Sequence, residues 1–125
     1  MLRLSETEFE ELVVAALDTL PDELLQLMNN VEVTVERTPN RLQLRRAGVR
    51  HGTLLGLYEG IPLTARSSSS YSLVVPDKIT IFQRPIESIC TTQEQIVTQV
   101  RKTVIHEIAH HFGIGEERLR ELGWG

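Results

Sequence analysis

Three of the four histidines in this chain fall within one stretch, HEIAHHFG at residues 106–113. His106 and His110 are four residues apart, with Glu107 between them. On a helix, at about 100° per residue, His110 lies about 40° round from His106 and one turn further along. Their Cβ atoms then stand ~5–6 Å apart. Two imidazole nitrogens at that separation can converge on one metal ion, with bonds of ~2.0–2.1 Å. Glu107 falls to one side, too far round to be a good ligand but within reach of a water on the ion. The chemistry on offer is metal-assisted hydrolysis, with two ligands and a general base on one turn. His111 lies about 140° from His106 and cannot join the same site. It reads as a partly buried histidine or a hydrogen-bonding group behind the ligands.

A hydrolytic zinc site takes three protein ligands and a water. Beyond His110 the chain continues Gly113-Ile114-Gly115-Glu116-Glu117. Two glycines two residues apart permit a sharp turn back toward the helix. The first polar group past that turn is Glu116, giving the spacing H-E-x-x-H-x-x-G-x-x-E. Metzincins place a third histidine at this last position. A carboxylate is chemically acceptable there, since zinc takes carboxylate oxygen at ~2.0–2.2 Å.

The element that must carry the histidines is a long helix. Thr91 or Thr92 can cap it, with Glu94 or Gln95 at the third helical position. Ile96, Val97, Val100, Val104, Ile108 and Phe112 recur at spacings of three and four, and Gly113 ends the helix. Ile108 and Val104 fall roughly opposite His106, so one side faces a core and the other presents the imidazoles. A last short helix, EERLREL, follows, with Leu119, Leu122 and Trp124 as its packing residues. At the other end of the chain, Ser5 and Glu8 form a capping box. It opens a helix whose apolar face is Phe9, Leu12, Val13, Ala16, Leu17 and Leu20. Pro21 closes that helix and opens PDELLQLM.

Three strands are expected in between. VEVTVER alternates as a half-buried strand; TLLGLYEG, 53–60, reads as a second; KITIFQRP reads as a third, stopped at Arg84-Pro85 because proline supplies no ladder donor. Residues 38–52 read as a connection. IPLTARSSSSYS, with serines at 67–70, reads as an exposed, mobile loop, followed by a short strand at Leu73–Val75.

The chain has 125 residues, 41% apolar and 24% charged, which suits one folded domain with its own core. The net charge of −4 and the lack of a basic stripe argue against nucleic acid as a partner. Arg41, Arg45, Arg46 and Arg50 are the exception and read as a solvated loop or short-helix face. With Cys90 alone there is no internal disulfide; the thiol reads as a small buried apolar group in a reducing compartment. Glutamates at 6, 8, 10 and 11 interrupt what would be the apolar region of a signal peptide. No apolar run approaches the ~18 residues a membrane span needs. The expectation is a cytoplasmic protein, a monomer or weak homodimer, with no membrane partner.

GLYEGIPLTARS (56–67), PDKITIFQRPIE (76–87) and HEIAHHFGIGEERLRELGW (106–124) together resemble the small bacterial minimal zincin family of zinc metallopeptidases. The resemblance implies an α+β fold, a small mixed β-sheet packed against the metal-binding helix, with an N-terminal helix and a short C-terminal helix. It implies one Zn2+ per chain held by His106, His110 and Glu116, with Glu107 as the base. The family looks to place an aspartate where Glu116 stands, a departure of one methylene that leaves Glu117 as a possible substitute. The serine run also departs from the family.

The function expected is that of a zinc-dependent peptidase acting on a peptide or protein substrate. Glu107 would accept a proton from water and pass it to the leaving amine. The substrate would pair with an exposed sheet edge, expected at Lys78–Gln83, and the loop around 60–72 would act as a lid over a shallow cleft. Tyr58 and Tyr71 could donate to a developing oxyanion, although packing is the plainer role for each. His51 reads as a surface residue. The alternatives are a zincin-fold metal-binding module without peptidase activity, against which Glu107 counts, and a protein whose histidines are satisfied in its core. A site of two histidines and a carboxylate also suits Fe(II), Mn or Co.

Overall fold

The computed structural model describes residues 2–60 and 76–124. In chain order the described elements are α1 (Glu6–Leu17), α2 (Asp22–Leu27), β1 (Val31–Glu36), α3 (Arg41–Arg46) and β2 (Gly56–Glu59). They continue with β3 (Asp77–Phe82), α4 (Gln83–Ser88), α5 (Gln93–His111) and α6 (Glu116–Leu122). The fold is α+β, with a small mixed sheet and six helices among these residues. The serine run 67–70, Tyr71, the loop 60–72 beyond Gly60, and the strand expected at Leu73–Val75 lie outside the described residues.

Local chemistry starts the helices where the sequence marks them. At α1 the Ser5 hydroxyl accepts from the Glu8 amide at 3.1 Å, and the Glu8 carboxylate accepts from the Ser5 amide at 3.0 Å. At α5 the Thr92 hydroxyl accepts from the Gln95 amide at 3.1 Å. Each cap satisfies donors that the first helical turn leaves unpaired.

Two short helices depart from expectation, one in a stretch that reads as a connection and one starting where a strand reads to its end. Within 38–52, Asn40 and Gln43 form a reciprocal cap with both bonds at 2.8 Å, and this starts α3. The arginine cluster therefore begins on a short helix. The strand read through Gln83 to Pro85 stops instead at Phe82, and the chain turns directly into α4. Pro85 sits in the first turn of α4, where a missing N–H breaks no helical hydrogen bond.

The strand order is β1-β3-β2, with β1 parallel and β2 antiparallel to β3. β3 is thus the middle strand, and the expectation that Lys78–Gln83 offers a free edge is corrected. Ile79, Thr80, Ile81 and Phe82 are all fully buried, so both faces of this strand are covered. The polar Thr80 is accommodated by pairing its hydroxyl with that of Thr34 at 3.4 Å. Among the described residues β2 stands at an edge.

α5 is the element against which the rest assembles. It packs on β2 and β3, on α1 and α2, and on α4. Its buried face is Ile96, Val100, Thr103, Val104, Ile105, Ile108 and Ala109. Phe9, Val13 and Ala16 of α1 and Leu24 of α2 meet it in one apolar cluster. Cys90 is buried, as expected, and burial pushes its thiol pKa up. No helix among the described residues is long and apolar enough to cross a membrane.

Candidate metal centre

α5 buries one side so completely that its polar side is left facing solvent. His106 and His110 are both exposed there, and Glu107 between them is half-buried. The helix ends in a Schellman turn: the Gly113 amide donates to the His110 carbonyl at 3.3 Å and the Ile114 amide to the Ala109 carbonyl at 2.7 Å. Gly113 has φ of 72°, which a side chain would resist. Ile114 then packs against the core, and Gly115 leads into α6.

That reversal returns Glu116 to the helix face it left. Its Oε1 lies 3.6 Å from His106 Nδ1. His106, Glu107, His110 and Glu116 all line one cavity of roughly 250 Å³, floored by Ala109, Ile114 and Leu119. Glu117 is exposed and does not line it. Among the described residues no three His, Cys, Asp or Glu side chains are drawn tightly enough together to grip an ion as they stand. The donors nonetheless fit a zinc ion in kind: two imidazoles and one carboxylate, all solvent-exposed and bordering one cavity.

Glu107 is held from the sheet. Its Oε1 accepts the Tyr58 backbone N–H at 2.9 Å, a bond from the side of β2 turned away from β3. Burial pushes its pKa up, opposed by the Tyr58 hydrogen bond and by the nearby His110 and His106. β2 comes this close because residue 56 is glycine: a Cβ there would lie 2.6 Å from Thr103 Cγ2 and 3.2 Å from the Thr80 carbonyl oxygen.

Behind Glu107 lies a polar cluster that the sequence did not announce. The Tyr58 hydroxyl donates to Asp77 Oδ2 at 2.6 Å. The His111 ring stacks on Tyr58, with centroids 3.9 Å apart and planes at 18°, and its Nε2 lies 4.0 Å from the same Asp77 oxygen. His111, read as a partly buried histidine or a hydrogen-bonding group behind the ligands, is instead exposed and stacks on Tyr58, bracing β2 against the end of α5. The Tyr58 hydroxyl is engaged by Asp77 and so is not aimed at an oxyanion. The signal for this cluster was weak: three residues 19 to 53 positions apart meet only once β2 and β3 have paired and docked on α5. His51 is exposed, as expected.

A sheet edge lying across a helix that presents two imidazoles and a half-buried carboxylate is the kind of layout on which helix-borne metal sites are built. The chain belongs to the zincin-like metallopeptidase family, whose model matches residues 28–124. Among solved structures it is similar in fold to a conserved hypothetical protein from Thermo thermophilus. The two share 19% identity and a TM-score of 0.55, over 87% of this chain and 94% of that one. None of the curated proteins matches it.

Proposed function

We propose that this protein is a zinc-dependent peptidase, with His106, His110 and Glu116 holding one Zn2+ and Glu107 serving as general base. The observation that carries the reading is the cavity shared by His106, Glu107, His110 and Glu116, in a chain of the zincin-like metallopeptidase family. When bound, the ion would acidify a water toward a pKa of ~7 and polarise a substrate carbonyl.

The protein's own part is positioning and proton transfer. The Tyr58 N–H holds Glu107 through Oε1, so that Oε2 would be the oxygen left for a water. A carboxyl whose pKa burial has raised is better matched to accepting a proton near neutrality. As water adds to the scissile carbonyl carbon, Glu107 takes its proton. Glu107 then delivers that proton to the amide nitrogen as the C–N bond breaks, leaving one carboxylic acid and one amine. The substrate lies along β2, whose main chain at Gly56 turns the same way as at Tyr58 by the two-residue alternation of a strand.

The test is a pair of measurements on protein purified without chelator or affinity tag. Zinc analysis should find one equivalent per chain, and mass spectrometry of a peptide mixture should find new termini. Glu107→Gln should keep the zinc and abolish the cleavage. A variant that loses its zinc would make Glu107 a ligand, and wild type that neither holds nor takes up zinc would remove the site.

A further inference from the structure

The groove beside β2 extends past Glu107 in both directions. Toward the C-terminal end of β2, a cavity of about 400 Å³ runs beside Tyr58, Gly60 and His111, with Arg46 at its wall. Toward the N-terminal end, a cavity of about 370 Å³ runs beside Thr53, Gly56 and Gln99, with Lys102 at its wall. One cation stands in each, but they are not equivalent. Arg46 Nη1 lies 2.7 Å from Glu59 Oε2, so its charge is answered within the fold. Lys102 is exposed and makes no ion pair among the described residues. Its helical neighbours three and four positions away are Thr98, Gln99, Ile105 and His106, none of them acidic. It therefore places an ammonium with no acidic helical neighbour on the histidine-bearing face, one turn before His106.

Strand direction decides which part of a substrate would meet it. A peptide adding to an edge pairs best antiparallel, the more stable ladder per residue. β2 runs from the Lys102 cavity toward the His111 cavity, so an antiparallel peptide runs the other way. Its residues before the scissile bond lie over His110 and His111, and those after it lie over Thr53–Gly56 and Lys102. One helical turn is ~5.4 Å and extended chain rises ~3.3 Å per residue. Given the length of its own side chain, Lys102 reaches about two or three residues beyond the bond.

We propose that Lys102 is a specificity residue that selects peptides bearing a carboxylate on the C-terminal side of the cleaved bond. The carboxylate belongs either to an Asp or Glu side chain or to the peptide's own C-terminus. This rests on the peptidase reading, because that reading fixes where the bond lies. The test uses zinc-loaded wild type, Lys102→Glu and Lys102→Met with dye-labelled peptides that are matched except at that position. The peptides carry Asp, Asn or Lys there, and each is made as free acid and as amide. Anisotropy reads binding, and chromatography of the same samples reads cleavage.

Wild type should bind the Asp peptide about three- to tenfold more tightly than the Lys peptide, a preference that fades with added salt. Lys102→Met should abolish the preference and Lys102→Glu should invert it. A preference between acid and amide, rather than between Asp and Asn, would assign the carboxylate to the chain terminus. Equal binding of all peptides, no binding at all, or a preference unchanged in Lys102→Glu overturns the assignment. Cleavage of the Asn peptide without charge preference overturns it while leaving the peptidase reading intact. Charge-selective binding that Lys102→Glu inverts, with no peptide cleaved, upholds the carboxylate site and overturns the peptidase reading.

Discussion

Glu116 and Glu117 carry the same group one residue apart, and the turn at Gly113 treats them differently. Glu116 reaches to 3.6 Å from His106 and borders the cavity; Glu117, rotated about 100° on α6, is exposed and stands outside it. Glu116→Ala should therefore weaken zinc binding by more than the ~10–100-fold typical of a change outside the ligand shell, and Glu117→Ala should leave it nearly unchanged. Competition against a chromogenic chelator measures both. Equal affinities would move the ligand or remove it. The histidine pair and its glutamate were legible at this scale because all three lie on one helical turn. The Tyr58 N–H that holds Glu107 was not, because a backbone donor leaves no mark in residue type.

At the scale of elements, the approach of β2 to α5 is the contact that brings a sheet edge to the helix-borne carboxylate. Gly56 permits it, since a methyl group there would press on Thr103 Cγ2 and on the Thr80 carbonyl. Gly56→Ala should cost about 1–3 kcal/mol by overpacking, read as a lower urea midpoint with an unchanged slope. Adding Thr103→Ser removes the methyl met at 2.6 Å and should restore part of that loss; the Thr80 oxygen at 3.2 Å keeps the rescue incomplete. A double variant no more stable than Gly56→Ala would show that the contact with Thr103 is not the constraint. The elements themselves were partly legible. Both long helices announced their caps and their apolar periodicity. α3 went unread: its Asn40–Gln43 cap emerges in the structure, and six residues carry too little periodicity to outweigh the flanking Pro39 and Gly48. α4 was hidden by Pro85, which ends strands and is equally at home in the first turn of a helix.

Across the whole molecule, residues more than eighty positions apart are joined by Glu87. Its side chain is fully buried, accepting from the Leu4 amide at 2.9 Å, from Gln83 Nε2 at 3.0 Å and from Arg84 Nη1 at 2.6 Å. Gln83 Nε2 also donates to the Leu4 carbonyl at 3.0 Å, so the segment leading into α1 is clamped from both sides. Burial opposes ionisation of this carboxyl, but the Gln83 and Leu4 hydrogen bonds and the charge of Arg84 outweigh it and hold the pKa below its ordinary value. A depressed folded-state pKa contributes stability that is complete above the unfolded value of ~4.3 and is lost as pH falls through the folded one. Glu87→Gln should thus destabilise by about 1–3 kcal/mol at neutral pH. The gap from wild type should shrink below pH ~4, where wild type is losing the same contribution. Denaturant melts at the two pH values measure it, and a gap that stays constant would rule out the ionised carboxylate as its source.

What the sequence determined by itself is what short-range rules control. The 3.6-residue period set the core face of α5 and, by exclusion, the face bearing His106 and His110. Capping chemistry set where α1 and α5 begin. The steric freedom of glycine set the reversal at Gly113 that carries Glu116 back. Strand neighbours were beyond such rules. Alternation in KITIF marks which side chains share a face but not which strands flank them, so β3 read as an edge although it is the middle strand, with Thr80 as buried as Ile79 and Ile81. Only tertiary pairing made β2 the strand beside the helix, stacked His111 on Tyr58, gave Arg46 its partner in Glu59, and left Lys102 without one among the described residues. Those contacts join residues 13 to 53 positions apart in the chain, and their energy exists only once the sheet has closed on α5.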